Sequence, residues 1–168
     1  MTTRKVETPE AMAELGATIA RELRAGDLVL LNGELGAGKT TLTRGIGEEL
    51  GVRGAVTSPT FVLAQTHPRE GASTTTETTD GTDAPLVHVD AYRLGSAAEL
   101  DDLDIDFANS IVVVEWGAGL LDGVATDWLE LDIVRPLGGD PDAEIEPREV
   151  TITAHGDRWR RWLDAIGN

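Results

Sequence analysis

The apolar positions of this chain fall into blocks whose spacing changes along its length. Met12, Leu15, Ile19 and Leu23 recur at three- and four-residue intervals, which places them on one face of a helix. Thr8 suits the cap of that helix, Pro9 its first turn and Gly26 its end. Asp27 to Asn32 follows, with Leu28 to Leu31 apolar without alternation, the pattern of a strand covered on both faces. Gly33 to Gly38 reads as a glycine-rich turn, and Lys39 to Leu50 as a helix closed by Gly51.

Thr60 to His67 and Leu86 to Asp90 predict two further strands. Between Pro68 and Pro85 the only apolar side chains are Ala72 and Ala84. Such a tract buries too little to offset its ordering entropy, so a mobile surface loop is expected there, inserted in a hairpin. Ser96 stands three residues before Glu99, a capping-box spacing that starts a short acidic helix. Ile111 to Val114 is a second uninterrupted apolar run and ends in Glu115-Trp116. Trp128 to Val134 and Glu149 to Thr153 predict strands at a sheet edge, with Pro136 to Pro147 as the loop between them. Asp157 to Ile166 predicts a helix with Trp159, Trp162, Leu163 and Ile166 on one face. Strands interleaved with helices indicate an α/β domain whose sheet is flanked by helices.

Length and composition narrow this picture. The 168 residues fit one domain, spanning 1–168. The absence of cysteine removes disulfides, thiolate metal sites and a cysteine nucleophile. No apolar run is long enough to span a membrane. The polar start, Met1 to Lys5, leads into no signal core, so the cytoplasm is the default compartment. Against 30 acidic residues there are 14 basic ones, a net charge of −16. That surface repels polyanions, so wholesale nucleic-acid or anionic-membrane binding by this chain alone is not expected. An anion would have to be held at one local positive site, and the only lysines are Lys5 and Lys39.

Gly33-Glu34-Leu35-Gly36-Ala37-Gly38-Lys39-Thr40 fits the pattern G-x-x-x-x-G-K-[ST], between a buried strand and a helix. Glycines let the backbone approach a ligand closely, and the loop amides with the helix N-terminus then cradle phosphate oxygens. Lys39 is suited to reach the β- and γ-phosphates, and the Thr40 hydroxyl to hold Mg²⁺. A P-loop also needs an acid at the end of a neighbouring strand; Glu115 and Asp90 both qualify. One would serve the metal, and the other would orient or deprotonate the attacking water. In Ser58-Pro59-Thr60-Phe61, Thr60 is the best candidate for a hydroxyl that senses the γ-phosphate. Arg93 could steady phosphate charge or pair with an acid. Trp116 could be core or could close over a ligand. His88 reads as a strand histidine, since no second histidine has ligand spacing.

Leu35-Gly36-Ala37-Gly38-Lys39-Thr40-Thr41, Ser58-Pro59-Thr60-Phe61, His88-x-Asp90-x-Tyr92-Arg93 and Glu115-Trp116, in this order, resemble the motifs of the TsaE (YjeE) family. The resemblance runs from about Thr8 to Arg135. It implies a P-loop NTPase-like three-layer domain with a mixed, mostly parallel sheet. It also implies a weak ATPase that uses ATP and Mg²⁺ and supports threonylcarbamoyl modification of adenosine in tRNA through a TsaD–TsaB protein complex. By position, the loop from Gly33 to Thr41 would match the phosphate site, Thr40 and Glu115 the metal residues, Asp90 the candidate catalytic carboxylate and Thr60 the switch-like threonine. Two departures stand out: Gly117 follows Glu115-Trp116 where proline is common, and the Pro68–Pro85 tract is long. A small-molecule P-loop kinase is the first alternative, but no Arg or Lys occurs between Arg93 and Arg135 to form a phosphate-covering lid. A nucleotide-gated binding module without catalysis is the second.

Overall fold

The computed structural model describes residues 1–58, 63–70, 83–121, 124–136 and 146–166. In chain order its elements are β1 (Thr2–Val6), α1 (Pro9–Ala20), β2 (Leu28–Gly33), α2 (Lys39–Leu50), β3 (Ala64–His67), β4 (Leu86–Asp90), α3 (Ala97–Asp101), β5 (Ile111–Glu115), β6 (Trp128–Val134), β7 (Arg148–His155) and α4 (Asp157–Ile166). The strands form one sheet in the order β1-β7-β6-β2-β5-β4-β3. β6, β2, β5 and β4 are mutually parallel, while β7 and β3 run against them and β1 runs against β7. The sheet is therefore mixed and mostly parallel, as the family resemblance implies.

The two uninterrupted apolar runs lie side by side in the middle, with Leu28 facing Val112 and Leu31 facing Glu115. Their alternate residues enter two cores. Val29, Leu31, Ile111 and Val113 pack with α1, α2 and α4 through Leu15, Ile19, Leu42, Ile46 and Trp159. Leu28, Leu30, Val112 and Val114 pack on the other face with Leu100 of α3 and with Leu121. Fully burying each such side chain contributes roughly 1.5–3 kcal/mol. Burial on both faces is why neither run alternates.

Several boundaries differ from the sequence reading. α1 starts as expected, with the Thr8 hydroxyl accepting from the Ala11 amide at 3.1 Å, but it ends at Ala20, not at Gly26. The Asp27 carboxylate takes the Arg24 amide at 2.8 Å, so the chain turns there before β2. β1 arises from the start that reads only as polar. It is an edge strand held by backbone pairing with β7, and only Val6 is buried. β6 is interior, between β7 and β2, and β7 lies one strand in from the edge because β1 pairs outside it. β3 begins at Ala64, later than Thr60; positions 59–62, the candidate Thr60 among them, lie outside the described residues. β3 and β4 pair antiparallel, the two arms of the expected hairpin. Of the tract between them, 71–82 lies outside the described residues, as does 137–145 of the other expected loop. The near end of the first tract is fastened to the end of α2: the Arg53 amide donates to the Pro68 carbonyl at 2.8 Å and the Glu70 amide to the Gly51 carbonyl at 2.7 Å. Among the described residues no helix is long and apolar enough to cross a membrane.

α2 carries the glycine-rich loop at its N-terminus, and α1 clamps it there. The two helices cross at Gly16 and Gly45: a Cβ on Gly16 would collide with the Leu42 carbonyl oxygen, and one on Gly45 with the backbone of Ala13. Helix propensity alone favours alanine over glycine by about 1 kcal/mol. We predict the opposite sign here. Gly45→Ala should destabilise the fold by about 1–3 kcal/mol through overpacking, read as a lower urea midpoint. A midpoint equal to or above that of the parent would show that the close crossing is not required.

Candidate functional site

The loop Gly33–Gly38 leaves the C-terminal end of β2 and turns straight into α2. All three of its glycines sit where a side chain is disfavoured: Gly33 at φ +151°, Gly36 at φ +77° and Gly38, the residue capping α2, at φ +117°. The start of the loop is anchored from below. The Asn32 amide group donates to Glu130 at 2.9 Å and to Asp132 at 3.0 Å, and Glu130 is paired in turn with His155 at 2.7 Å. The far side is anchored by Arg148 of β7, whose guanidinium donates to the Ala37 carbonyl at 3.2 Å and reaches that of Gly36 at 3.5 Å.

Lys39 stands at the centre. Its side chain is 5 % exposed, and its ammonium donates to the carbonyls of Gly33 at 2.7 Å and Glu34 at 2.9 Å. The Trp116 ring lies over it, with the nitrogen 4.0 Å from the ring centroid, a cation–π contact. Burial pushes the Lys39 ammonium below its ordinary value, while the nearby Glu115 and Asp90 carboxylates pull it back up. An anion beside Lys39 would relieve what burial costs.

The carboxylates are placed by strand register. Asp90 of β4 and Glu115 of β5 are direct partners across parallel strands, so their side chains share a face of the sheet. Glu115 is buried and takes a hydrogen bond from His88 at 2.8 Å. One Asp90 oxygen accepts from the Tyr92 amide at 3.0 Å. Trp116 adopts a left-handed backbone at φ +64°, a conformation that costs a non-glycine residue on the order of 1–3 kcal/mol and concentrates at functional sites. The next residue, Gly117, is buried against Val114 and Leu30, whose side chains lie 2.8 and 2.9 Å from where its Cβ would be. Tyr92 meets the Trp116 ring edge-on at 5.4 Å.

These groups surround a cavity of about 480 Å³ lined by Leu35, Gly36, Gly38, Lys39, Thr40, Thr41, Ser58, Asp90, Tyr92, Glu115 and Trp116. Most residues named from sequence therefore meet at one place. Gly33 and Glu34 do not line it; their part is to hold Lys39. Ala37 is buried and lines a smaller cavity of about 120 Å³ on the other side of the loop, with Thr8, Pro9, Met12, Glu146 and Arg148; Gly36, Gly38 and Thr41 line both. Thr60 lies outside the described residues. Arg93 is exposed and lies outside the lining of the larger cavity.

Sequence reasoning missed three contributions. Arg148 carries no motif and follows the last one by many residues. Tyr92 stood in a motif without a role. The pairing of His88 with Glu115 depends on strand register, which the sequence does not display; two neighbouring strands that both end in an acid were the available signal. Among the described residues no cluster of three or more histidines, aspartates and glutamates could hold a metal alone. A hydroxyl at Thr40 with carboxylates at Glu115 and Asp90 would instead suit Mg²⁺, which keeps several waters and takes its other ligands from one or two protein oxygens and a bound phosphate.

Comparison with known proteins identifies the family. The profile of the family described as "Threonylcarbamoyl adenosine biosynthesis protein TsaE" matches residues 6–137. A Streptomyces coelicolor protein named tRNA threonylcarbamoyladenosine biosynthesis protein TsaE is 56% identical over 151 residues, covering 88% of this chain and 93% of its own. Proteins of the same name from Mycobacterium leprae and Bacillus subtilis are 44% and 36% identical, over 77% and 95% of this chain and 80% and 88% of their own lengths. A crystal structure of Bacillus subtilis YdiB superposes with a TM-score of 0.70 at 27% identity, covering 99% of this chain and 93% of that one. With the profile spanning most of the chain and relatives this close, the chain belongs to the TsaE family.

Proposed function

We propose that this chain acts in the biosynthesis of threonylcarbamoyladenosine in tRNA as a weak P-loop ATPase, binding ATP with Mg²⁺ and working through a TsaD–TsaB protein complex. The role in that biosynthesis rests on the family and on the names its relatives carry. The nucleotide chemistry rests on one observation above all: the buried Lys39 ammonium, fixed by two loop carbonyls, faces a cavity whose other side carries Asp90 and Glu115.

In this reading the triphosphate lies along the larger cavity, its oxygens on the loop amides and the α2 N-terminus. Lys39 turns from the carbonyls of Gly33 and Glu34 to the β- and γ-phosphates. Thr40 and Glu115 would hold the metal, which when bound would offset the charge that develops during transfer. Asp90 orients a water and accepts its proton. Thr60 completes the γ-phosphate contacts as a switch.

The mouth of the cavity supports coupling to a protein partner. Leu35 at its rim is 90% exposed and Tyr92 is 71% exposed. A net charge of −16 favours a protein partner over RNA.

Calorimetry with MgATP tests the reading directly. Lys39→Ala should weaken binding at least tenfold, about 1.4 kcal/mol or more, as expected for loss of a charge-assisted contact; unchanged affinity would sink the proposal. Because burial already lowers the Lys39 ammonium, parent affinity should begin to fall at a pH below the ordinary lysine value of 10.5. Phosphate release should vanish in Glu115→Ala and slow strongly in Asp90→Asn with nucleotide still bound. If Glu115→Ala turns over at the parent rate, Asp90 has the metal role. Release by the parent should change when TsaD–TsaB is added, and a pull-down without that complex would refute the partner assignment.

A further inference from the structure

We propose that His88 is a positioning residue for the metal side of the site: its Nε2–H fixes one oxygen of Glu115 and leaves the other for the cation. The inference rests on the reading of the cavity as a metal–nucleotide site and adds to it a residue that touches neither ligand. His88 lies in the middle of β4 and is fully buried, with Nε2 2.8 Å from Oε1 of Glu115. A carboxylate at this site can only accept, so the imidazole proton sits on Nε2. Nδ1 has no hydrogen-bond partner among the described residues. Glu115 is thus the one polar group His88 serves.

The surroundings argue against a packing role. On the same face of β4 and β5 the neighbours are Leu86, Ile111 and Val113, all fully buried. An aliphatic residue at position 88 would extend that core without stranding a ring nitrogen away from water. What histidine adds is a donor aimed at a carboxylate that lines the cavity. Strand alternation places His88 behind Glu115 on the interior side, while Asp90, its register partner, stands alongside.

The constraint matters because Lys39 is close enough to feel the charge of Glu115, yet the two form no ion pair. The loop carbonyls hold the ammonium and His88 holds the carboxylate, so both stay available for ligands. Outer partners that orient a metal-binding carboxylate typically change metal affinity 10–100-fold when removed.

The test measures the factor by which Mn²⁺ tightens ADP binding, from calorimetry with Mn²⁺ and with EDTA, alongside Mn²⁺ affinity by electron paramagnetic resonance. This factor cancels any general loss of nucleotide affinity and needs no turnover. His88→Leu should lower it roughly tenfold or more. His88→Gln, whose amide reaches about as far as Nε2, should restore it to within about threefold of the parent, taken from the same outer-partner range. His88→Asn, too short to reach, should resemble His88→Leu. If the leucine variant does not fold by circular dichroism, the Gln–Asn pair decides alone. A folded His88→Leu with the parent factor, or Gln and Asn variants alike, would overturn the inference. Failure of the parent itself to bind ADP would instead overturn the nucleotide reading.

Discussion

A cation inside a protein needs partners, and the site is organised around how Lys39 meets that need. Two backbone carbonyls from the loop, an indole face and two carboxylates at longer range surround its ammonium. The carbonyls are available only because the loop curls back on its own helix, which requires left-handed backbone at Gly36 and Gly38. The carboxylates are available only because β4 and β5 are parallel and in register, which brings Asp90 and Glu115 to the same end of the sheet. Remove either condition and the charge is left unpaired in a poorly solvated place.

Preorganisation also explains how unlike parts of the chain are recruited. The sheet supplies position, the loop supplies donors, and distant side chains hold each in place. Asn32 with Glu130 and Asp132 fixes the loop entry, Arg148 its outer bend, and Trp116 spends backbone strain to lay its ring over the lysine. None of these groups makes the core more apolar. Their arrangement keeps a few polar atoms pointed at a space of about 480 Å³.

The sequence displayed the middle of this structure better than its margins. Leu28 to Leu31 and Ile111 to Val114 announce the central strands because burial on both faces suppresses alternation. The loop and α2 are legible because glycine, lysine and threonine at fixed spacing have few other uses together. β1 was illegible: its residues alternate weakly, only Val6 is buried, and its existence depends on a backbone ladder with β7. The end of α1 was misplaced because Asp27 captures the Arg24 amide, a local competition that helix periodicity does not reveal. At the site, Asp90 and Glu115 were visible as strand-end acids. That they are neighbours, and that His88 reaches one of them, is a matter of register, which a single sequence does not encode in any readable pattern.

Arg148 carries a further implication for how the family's shared region relates to the rest. The matched profile stops at residue 137, and every motif lies before it. Yet the guanidinium that straps the outer bend of the loop comes from β7, and β7 in turn pairs with β1 and lies against α4. Residues 146–166 are thus a buttress and not a tail. A chain trimmed to its recognisable motifs would keep all the chemistry and lose the brace that holds it still.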